Sequence, residues 1–532
     1  MRRLMFFFLC LIAAAVLNAQ GAEGAKIRIE SVEYNIEGRT KEFALAGYAQ
    51  IIAGTEFENI SEFKNYIEQK IRHLRNNRIF EDVNIEYTLE ENADGITAAH
   101  LNVSTADTRN FLIVPYPKYD SNTGFLFRLR AWDKNSFGAM NLLQADLGYS
   151  YTRENPAEDA KNGLLLNIET IIPFNALGFV WNIDIYTKNT WIFGSDYPFV
   201  SNSAAGISVD IPLRRAVFTP GFRERAVITA KNELTETDFE DAIFASDTRI
   251  YKPKYQNTAH IVLDEWYMSS RPYIKLTLPA GIRLLDAEFV YETLAAGEIA
   301  YTAGGISPAN EGLNIELNHR FGFFGVNWLG NFRDGYYAYI QNDNIYNAAH
   351  NDVSSYISLT AGAHKKFTTF FGMSARLIYK QWFASNDDWT LQSAAEAGRV
   401  VRGVPDRALL AKGALSLNLD FPFRVFVFMP SQWFNTRKLR YFDFELHFSP
   451  MLDIAFVDGV QYNEKFIPVR YSHFNFDDIY IGAGFSFLVF PLTWRSLFLR
   501  LSAAVNVRDA VKERSLFAGS GAEIFFGIGH YF

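Results

Sequence analysis

Short segments in which apolar and polar residues alternate recur along most of this chain. Phe125, Phe127, Leu129 and Ala131 alternate with Leu126, Arg128 and Arg130, and Ala145, Leu147, Tyr149 and Tyr151 with Gln144, Asp146, Gly148 and Ser150. The pattern returns at Leu313, Ile315 and Leu317, at Leu415, Leu417 and Leu419, and at Phe442, Phe444, Leu446 and Phe448. Successive side chains of a strand point to opposite faces, so each segment reads as a strand with one greasy and one wet face. The final segment, Gly521 to Phe532 (GAEIFFGIGHYF), puts Ile524, Phe526, Ile528, His530 and Phe532 on one face. A soluble sandwich alternates too; the number of segments and the aromatic last strand point instead to an antiparallel barrel with a lipid-facing wall and a hydrated lumen. At about 10 residues per crossing strand, plus turns, the region from 110 to 532 holds on the order of 14 to 18 strands, and an even number near 16 fits best. Two polar inserts, Lys231 to Tyr255 and Arg333 to Asp352, read as outer loops, because turns at the other end of such barrels are short.

The front of the chain has a different rhythm. Ile27 and Ile29 alternate with charged neighbours, and Val32, Tyr34 and Ile36 resume one position out of phase, which predicts a strand with a bulge near Ser31. Lys41 to Ile52 is helix-like and stops at Gly54. Ile60, Phe63, Ile67, Ile71 and Leu74 recur at helical spacing behind Asn59, a cap whose bond Glu62 can return. Val83, Ile85 and Tyr87, then Ala99, Leu101 and Val103, alternate as two further strands. The predicted order over residues 26–105 is strand, helix, helix, strand, strand.

Composition narrows the classes. Aromatic residues make up 16% and Phe alone numbers 48, yet 21% of residues are charged and mean hydropathy is −0.06. Helical membrane proteins are far more apolar; half-apolar barrel strands give this intermediate average. Arg2, Arg3 and the apolar run Leu4 to Val16 read as a secretory signal covering residues 1–19, with cleavage expected after Leu17-Asn18-Ala19 and Ala22 and Ala25 as alternatives. The one cysteine, Cys10, lies inside that signal, so the mature chain is expected to lack cysteine and disulfides. A net charge of −8 argues against a nucleic-acid partner. No His-Glu-x-x-His, Gly-x-Ser-x-Gly or Gly-x-x-x-x-Gly-Lys motif occurs, and the nine histidines show no metal-ligand spacing. No enzyme activity, cofactor or metal is expected.

Several stretches carry a family resemblance. Gly54-Thr55-Glu56-Phe57 before the second helix and Arg78-Ile79-Phe80-Glu81-Asp82-Val83 after it resemble a POTRA domain. Tyr119 to Gly138, with Gly124, Asn135 and Gly138, resembles the opening strand and turn of POTRA-plus-barrel outer-membrane proteins of the BamA and TamA type, also called bacterial surface antigens. Val401-Arg402-Gly403-Val404 resembles the tip of their long loop that folds back into the barrel; Gly413 to Phe421, with Asn418 and Asp420, resembles the strand after it; and Phe456-Val457-Asp458-Gly459 resembles the next strand. Val404 stands where the family shows an aromatic residue, the glycine follows Asp458 at once, and His530 replaces an apolar residue.

The resemblance implies an all-β transmembrane antiparallel barrel of about 16 strands over residues 110–532, preceded by one small α+β POTRA-like domain over 26–105. It implies Asp458 as the carboxylate that holds Arg402, since a guanidinium fork inside a barrel needs a paired acceptor. Strict alternation, however, puts Asp458 on the face of Phe456 unless a bulge redirects it. It further implies a seam between the first strand (Gly124, Phe125 onward) and the last (Phe526, Ile528, Phe532), and a role in inserting or translocating β-rich proteins. The expected setting is the outer membrane, with the front domain in the periplasm. Expected partners are unfolded outer-membrane protein clients, outer-membrane lipid and periplasmic or lipoprotein accessory subunits. The alternative is a passive pore or surface antigen with a periplasmic docking module; two-partner secretion would normally need two front domains and a plugging helix, which the sequence does not show.

Overall fold

The computed structural model describes residues 26–528 except 92–95, 109, 121–123, 153–160, 194–198, 215, 229–232, 235–260, 263–265, 285–286, 307–312, 349–350, 385–391, 394–400, 405–408, 463–467, 477–478, 494–497 and 514–521. The expected signal segment and Phe532 lie outside these residues. The chain divides into two units. The first runs to Asn110 and takes in Asn135–Met140 and Gly281–Phe289; the second holds the remainder.

In the front unit a four-stranded sheet has the order Glu56–Phe57, Ile27–Glu37, Thr97–Asp107, Phe80–Glu91. Helices Glu42–Ala49 and Ile60–Asn76 supply Leu45, Phe63, Ile67 and Leu74 to its core, where Ile29, Val83, Leu101 and Val103 meet them. The helix at 60–76 begins where expected: Asn59 Oδ1 accepts from Glu62 N at 2.9 Å. Glu62 returns a bond one residue earlier than a capping box would, accepting from Glu58 N at 3.1 Å. The bulge predicted near Ser31 is a register shift between Ile29 and Ser31. Pairing through it restores the inward phase of both halves of the strand.

Among the described residues the second unit is a closed antiparallel barrel of 18 long strands, the top of the expected range of 14 to 18 and two more than its best fit of 16. Phe111–Asp120 is a strand although it carries Pro115 and Pro117, residues confined in sheets to edges and bulges. Phe332–Asn347 is a strand as well, which corrects the expected loop at 333–352. Its polar residues are strand residues: Asp343 and Asn347 are buried, and Gln341 Nε2 donates to Asp343 at 2.8 Å. Polar sequence here marks the wet face of a strand, not a loop. The second predicted loop, Lys231 to Tyr255, lies almost wholly outside the described residues.

Alternation translates into two surfaces. Phe125, Phe127, Leu129, Leu147 and Ile340 are exposed on the outside, a face that suits hydrocarbon. Inside, Asp146 is fully buried between Arg128 Nη1 at 2.9 Å and Arg130 Nη2 at 2.7 Å. Arg130 lies over the Tyr116 ring at 4.2 Å. Further pairs, Arg223–Asp184, Arg271–Glu316 and Lys275–Glu292, line the lumen wall. Paired charges of both signs are what a polar interior needs when water alone does not solvate it.

Candidate functional site

Val401-Arg402-Gly403-Val404 forms a tight turn, closed by Val404 N to Val401 O at 3.3 Å, and Gly403 takes φ +87°. Glycine is required there twice over. Its backbone is left-handed, and a Cβ would come within 2.5 Å of the Val505 carbonyl carbon. Val401 and Val404 are fully buried in an apolar cluster with Ala414, Ala455, Val457 and Tyr480. Tyr480, fully buried, supplies the aromatic ring of this cluster.

Arg402 is held by two carboxylates. Its Nε and Nη2 donate to the two oxygens of Asp453 at 2.8 and 2.6 Å, and its backbone N donates to Asp453 Oδ2 at 2.8 Å. Nη1 donates to Asp420 Oδ1 at 2.6 Å. Arg402 and Asp453 side chains are 7% and 1% exposed, so little water competes with these bonds. Such a two-pronged fork fixes orientation as well as position.

Asp458 is not a partner of Arg402, which corrects the expectation. From Met451 to Asp458 the strand Phe444–Tyr462 alternates without a bulge. Asp453 shares the inward face with Met451, Ala455 and Val457; Asp458, five residues on, falls on the opposite face. It pairs with His473 Nδ1 at 3.3 Å. The phase of this strand alone would have selected Asp453. Asp420 does reach Arg402. Asn418 stands opposite Asp453 in the ladder and accepts from Arg376 Nη2 at 3.4 Å. Gly413 lies against Gln381, whose side chain fills the space a Cβ would need.

The tip also reaches the far side of the C-terminal strands. Gly482, opposite Asp453 in the next strand, has no room for a Cβ because the Arg402 carbonyl oxygen occupies that space. Gly403 N donates to Glu523 Oε2 at 3.0 Å, and Glu523 belongs to the last strand, Ala522–Ile528. One turn thereby ties strands 409–420, 444–462, 480–491 and 499–506 to the strand at the seam.

The seam itself is a second correction. The strand that meets Ala522–Ile528 is Phe111–Asp120; Gly124 and Phe125 begin the next one and pair with Asp120 and Tyr119. Among the described residues the seam pairs Phe525 with Asp120 and Phe526 with Tyr119, and on its inner side the last strand pairs with Leu499–Asn506. Ile528 lies opposite Leu499 on that inner side.

The ladder from Phe111↔Asp133 to Asp120↔Gly124 is unbroken although Pro115 and Pro117 have no N–H. Alternate residues of an antiparallel strand direct their N–H and C=O to opposite neighbours. An unbroken ladder therefore assigns the even-numbered residues to Gly124–Ser136. The odd-numbered ones, both prolines included, face the last strand. The seam edge of the first strand thus lacks two donors.

No family model matches the chain, and no curated protein matches it. Solved structures do. The chain is similar to CdiB from Acinetobacter baumannii at 10% identity and a TM-score of 0.46, covering 94% of this chain and 73% of that one. It is similar to BamA from Haemophilus ducreyi lacking POTRA domains 1-3, at 11% identity and a TM-score of 0.38, covering 94% and 84%. The FrpB iron transporter from Neisseria meningitidis matches at 11% identity and a TM-score of 0.39, covering 85% and 87%. These likenesses, at 10–11% identity and TM-scores of 0.38–0.46, leave the activity of the chain to be argued from its own residues.

Proposed function

We propose that this protein sits in the outer membrane and inserts or translocates β-rich polypeptides, with the front unit in the periplasm. The observation that carries the reading is a seam whose first strand is short of donors, next to a firmly docked tip. A sheet edge opened in lipid carries unsatisfied backbone groups and seeks a strand. Between the two edges the last strand, which has no proline, offers a full set of donors and acceptors, while Pro115 and Pro117 leave the first strand short of donors. An incoming client strand therefore adds to Ala522–Ile528. Glu523 links that strand to Gly403, so the docked tip steadies the edge that the client uses.

The front unit offers a second landing place. Glu56–Phe57 pairs with Ile27 and Arg28 on the outer edge of Ile27–Glu37, and Gly54 and Thr55 bond to Ile29. Among the described residues no strand pairs with that edge beyond Ile29, and this stretch is offered to an extended client segment by strand addition.

Two experiments test this. An Asp120→Cys/Phe525→Cys pair in a Cys10→Ser background locks the seam; the oxidised protein is expected to lose activity and regain it on reduction. Full activity of the locked protein would refute seam opening. Depleting the protein in its host, with mass spectrometry of the outer-membrane fraction, is expected to lower β-barrel proteins as a group. An unchanged outer membrane, together with a large steady conductance that Arg402→Ala leaves unaltered, would favour the passive pore.

A further inference from the structure

At the barrel end that carries the short turns, one connection is unlike the rest. Between strands 409–420 and 444–462 the chain makes a hairpin extension, Phe423–Phe428, a helical turn, Pro430–Trp433, and a 3-10 helix, Arg437–Phe442. From Phe421 to Phe442 there is no Asp or Glu, but four Arg or Lys and eight aromatic residues, in a chain whose net charge is −8. Residues 432–442 are exposed except for half-buried Leu439, with Trp433 at 63%, Phe434 at 69% and Phe442 at 64%.

This is a built element. Asp443, buried beneath it, accepts from Ser431 N at 3.1 Å and from Ser431 Oγ. Thr493 Oγ1 donates to the Arg440 carbonyl at 2.7 Å, and Leu492 N to the Asp443 carbonyl at 2.9 Å. Phe428 meets Trp433 edge-on at 5.0 Å. Arg424 N donates to Phe370 O at 2.7 Å, and Phe371 stacks on Phe423 at 4.6 Å, which joins the adjacent turn and its exposed Phe367 and Phe370 to the same surface. Fixed large aromatic side chains facing outward amount to a binding surface, since a soluble protein rarely leaves such a patch open.

We propose that residues 421–442 form an interfacial foot that binds anionic phospholipid headgroups of the membrane leaflet at this end of the barrel. The inference rests on the membrane placement proposed above. Two properties choose lipid over a protein partner. The patch continues the outward apolar wall through exposed Val425 and Phe426, so its aromatic rings lie where the wall meets water. Arg437, Lys438 and Arg440 stand beyond those rings on an acid-free segment, the arrangement in which rings sit at headgroup depth and cations reach phosphates.

The test uses the full chain with Cys10→Ser, reconstituted in phosphatidylethanolamine vesicles containing phosphatidylglycerol. Spin labels are placed at Phe434→Cys and, as an internal reference, at Ile340→Cys in the middle of the outward wall. The expected result is a hydrocarbon signature at 340 and a headgroup-depth signature at 434, read from oxygen against nickel-chelate accessibility. An aqueous signature at 340 would overturn the membrane placement itself. A hydrocarbon signature at 340 with an aqueous one at 434 would overturn the foot alone, as would a label at 434 shielded only by added periplasmic protein. The Arg437→Gln/Lys438→Gln/Arg440→Gln variant, checked for folding by heat-dependent gel migration, is expected to retain several-fold less phosphatidylglycerol in native mass spectrometry. Unchanged retention would refute headgroup recognition.

Discussion

Replacing Arg402 with alanine removes a fork that satisfies both oxygens of Asp453 and one of Asp420. Asp453, 1% exposed, keeps of the bonds Arg402 gave it the one from the backbone N of residue 402, and Asp420, 16% exposed, loses its bond to that guanidinium. Breaking one side of a buried ion pair costs about 3–5 kcal/mol, because the stranded charge must be solvated or the structure must open. Opening is the cheaper course, since withdrawing the tip admits water to both carboxylates. A shift of that size multiplies the undocked population roughly a hundred- to several-thousand-fold. The assay is modification of a cysteine at position 404, whose valine is 1% exposed in the docked tip. With Cys10→Ser and Val404→Cys as the parent, maleimide labelling of the folded protein is expected to be slow, and Arg402→Ala is expected to accelerate it by that factor. Arg402→Lys should fall between, because an ammonium cannot present a two-pronged fork. Asp458→Asn should leave the rate at the parent value. A change of less than about threefold for Arg402→Ala, or an effect of Asp458→Asn equal to it, would refute the assigned lock.

Gly482→Ala should displace the tip without touching any charge, since the new methyl group takes the space of the Arg402 carbonyl oxygen; labelling at 404 should rise while heat-dependent migration of the barrel persists. Pro117→Val should restore a donor facing the last strand and slow amide exchange in Ala522–Ile528 by roughly tenfold, the value of about one net hydrogen bond. Unchanged exchange would refute the assigned ladder phase. Phe63→Ala, at a fully buried position beside Phe57 and Tyr87, should destabilise the front unit by about 3–5 kcal/mol, seen as faster proteolysis within residues 26–110 while the barrel remains resistant.

Local patterns were enough where one segment answers to one constraint. Alternation revealed the outward wall, because each strand repeats the same choice between hydrocarbon and a wet lumen. The cap at Asn59 and the bulge near Ser31 were legible because both are set by neighbours in sequence. Other features required the tertiary structure. Pro115 and Pro117 disguised the first strand, since whether a missing N–H is tolerated depends on which neighbour that N–H would face. Arg333 to Asp352 read as a loop because polarity along a chain does not say whether a lumen lies beside it. The identity of Arg402's partner turned on strand phase: Asp453 and Asp458 are five residues apart and therefore on opposite faces, and the tip of a loop from elsewhere in the chain reaches only one of them. The tie from Gly403 to Glu523 joins residues 120 positions apart and left no mark in either segment. The sequence by itself determined the barrel wall, the front domain's element order and the arginine that needs a carboxylate; the closing of the barrel decided which carboxylate, which strands form the seam and what the tip holds, because register between distant strands is set only when the sheet is complete.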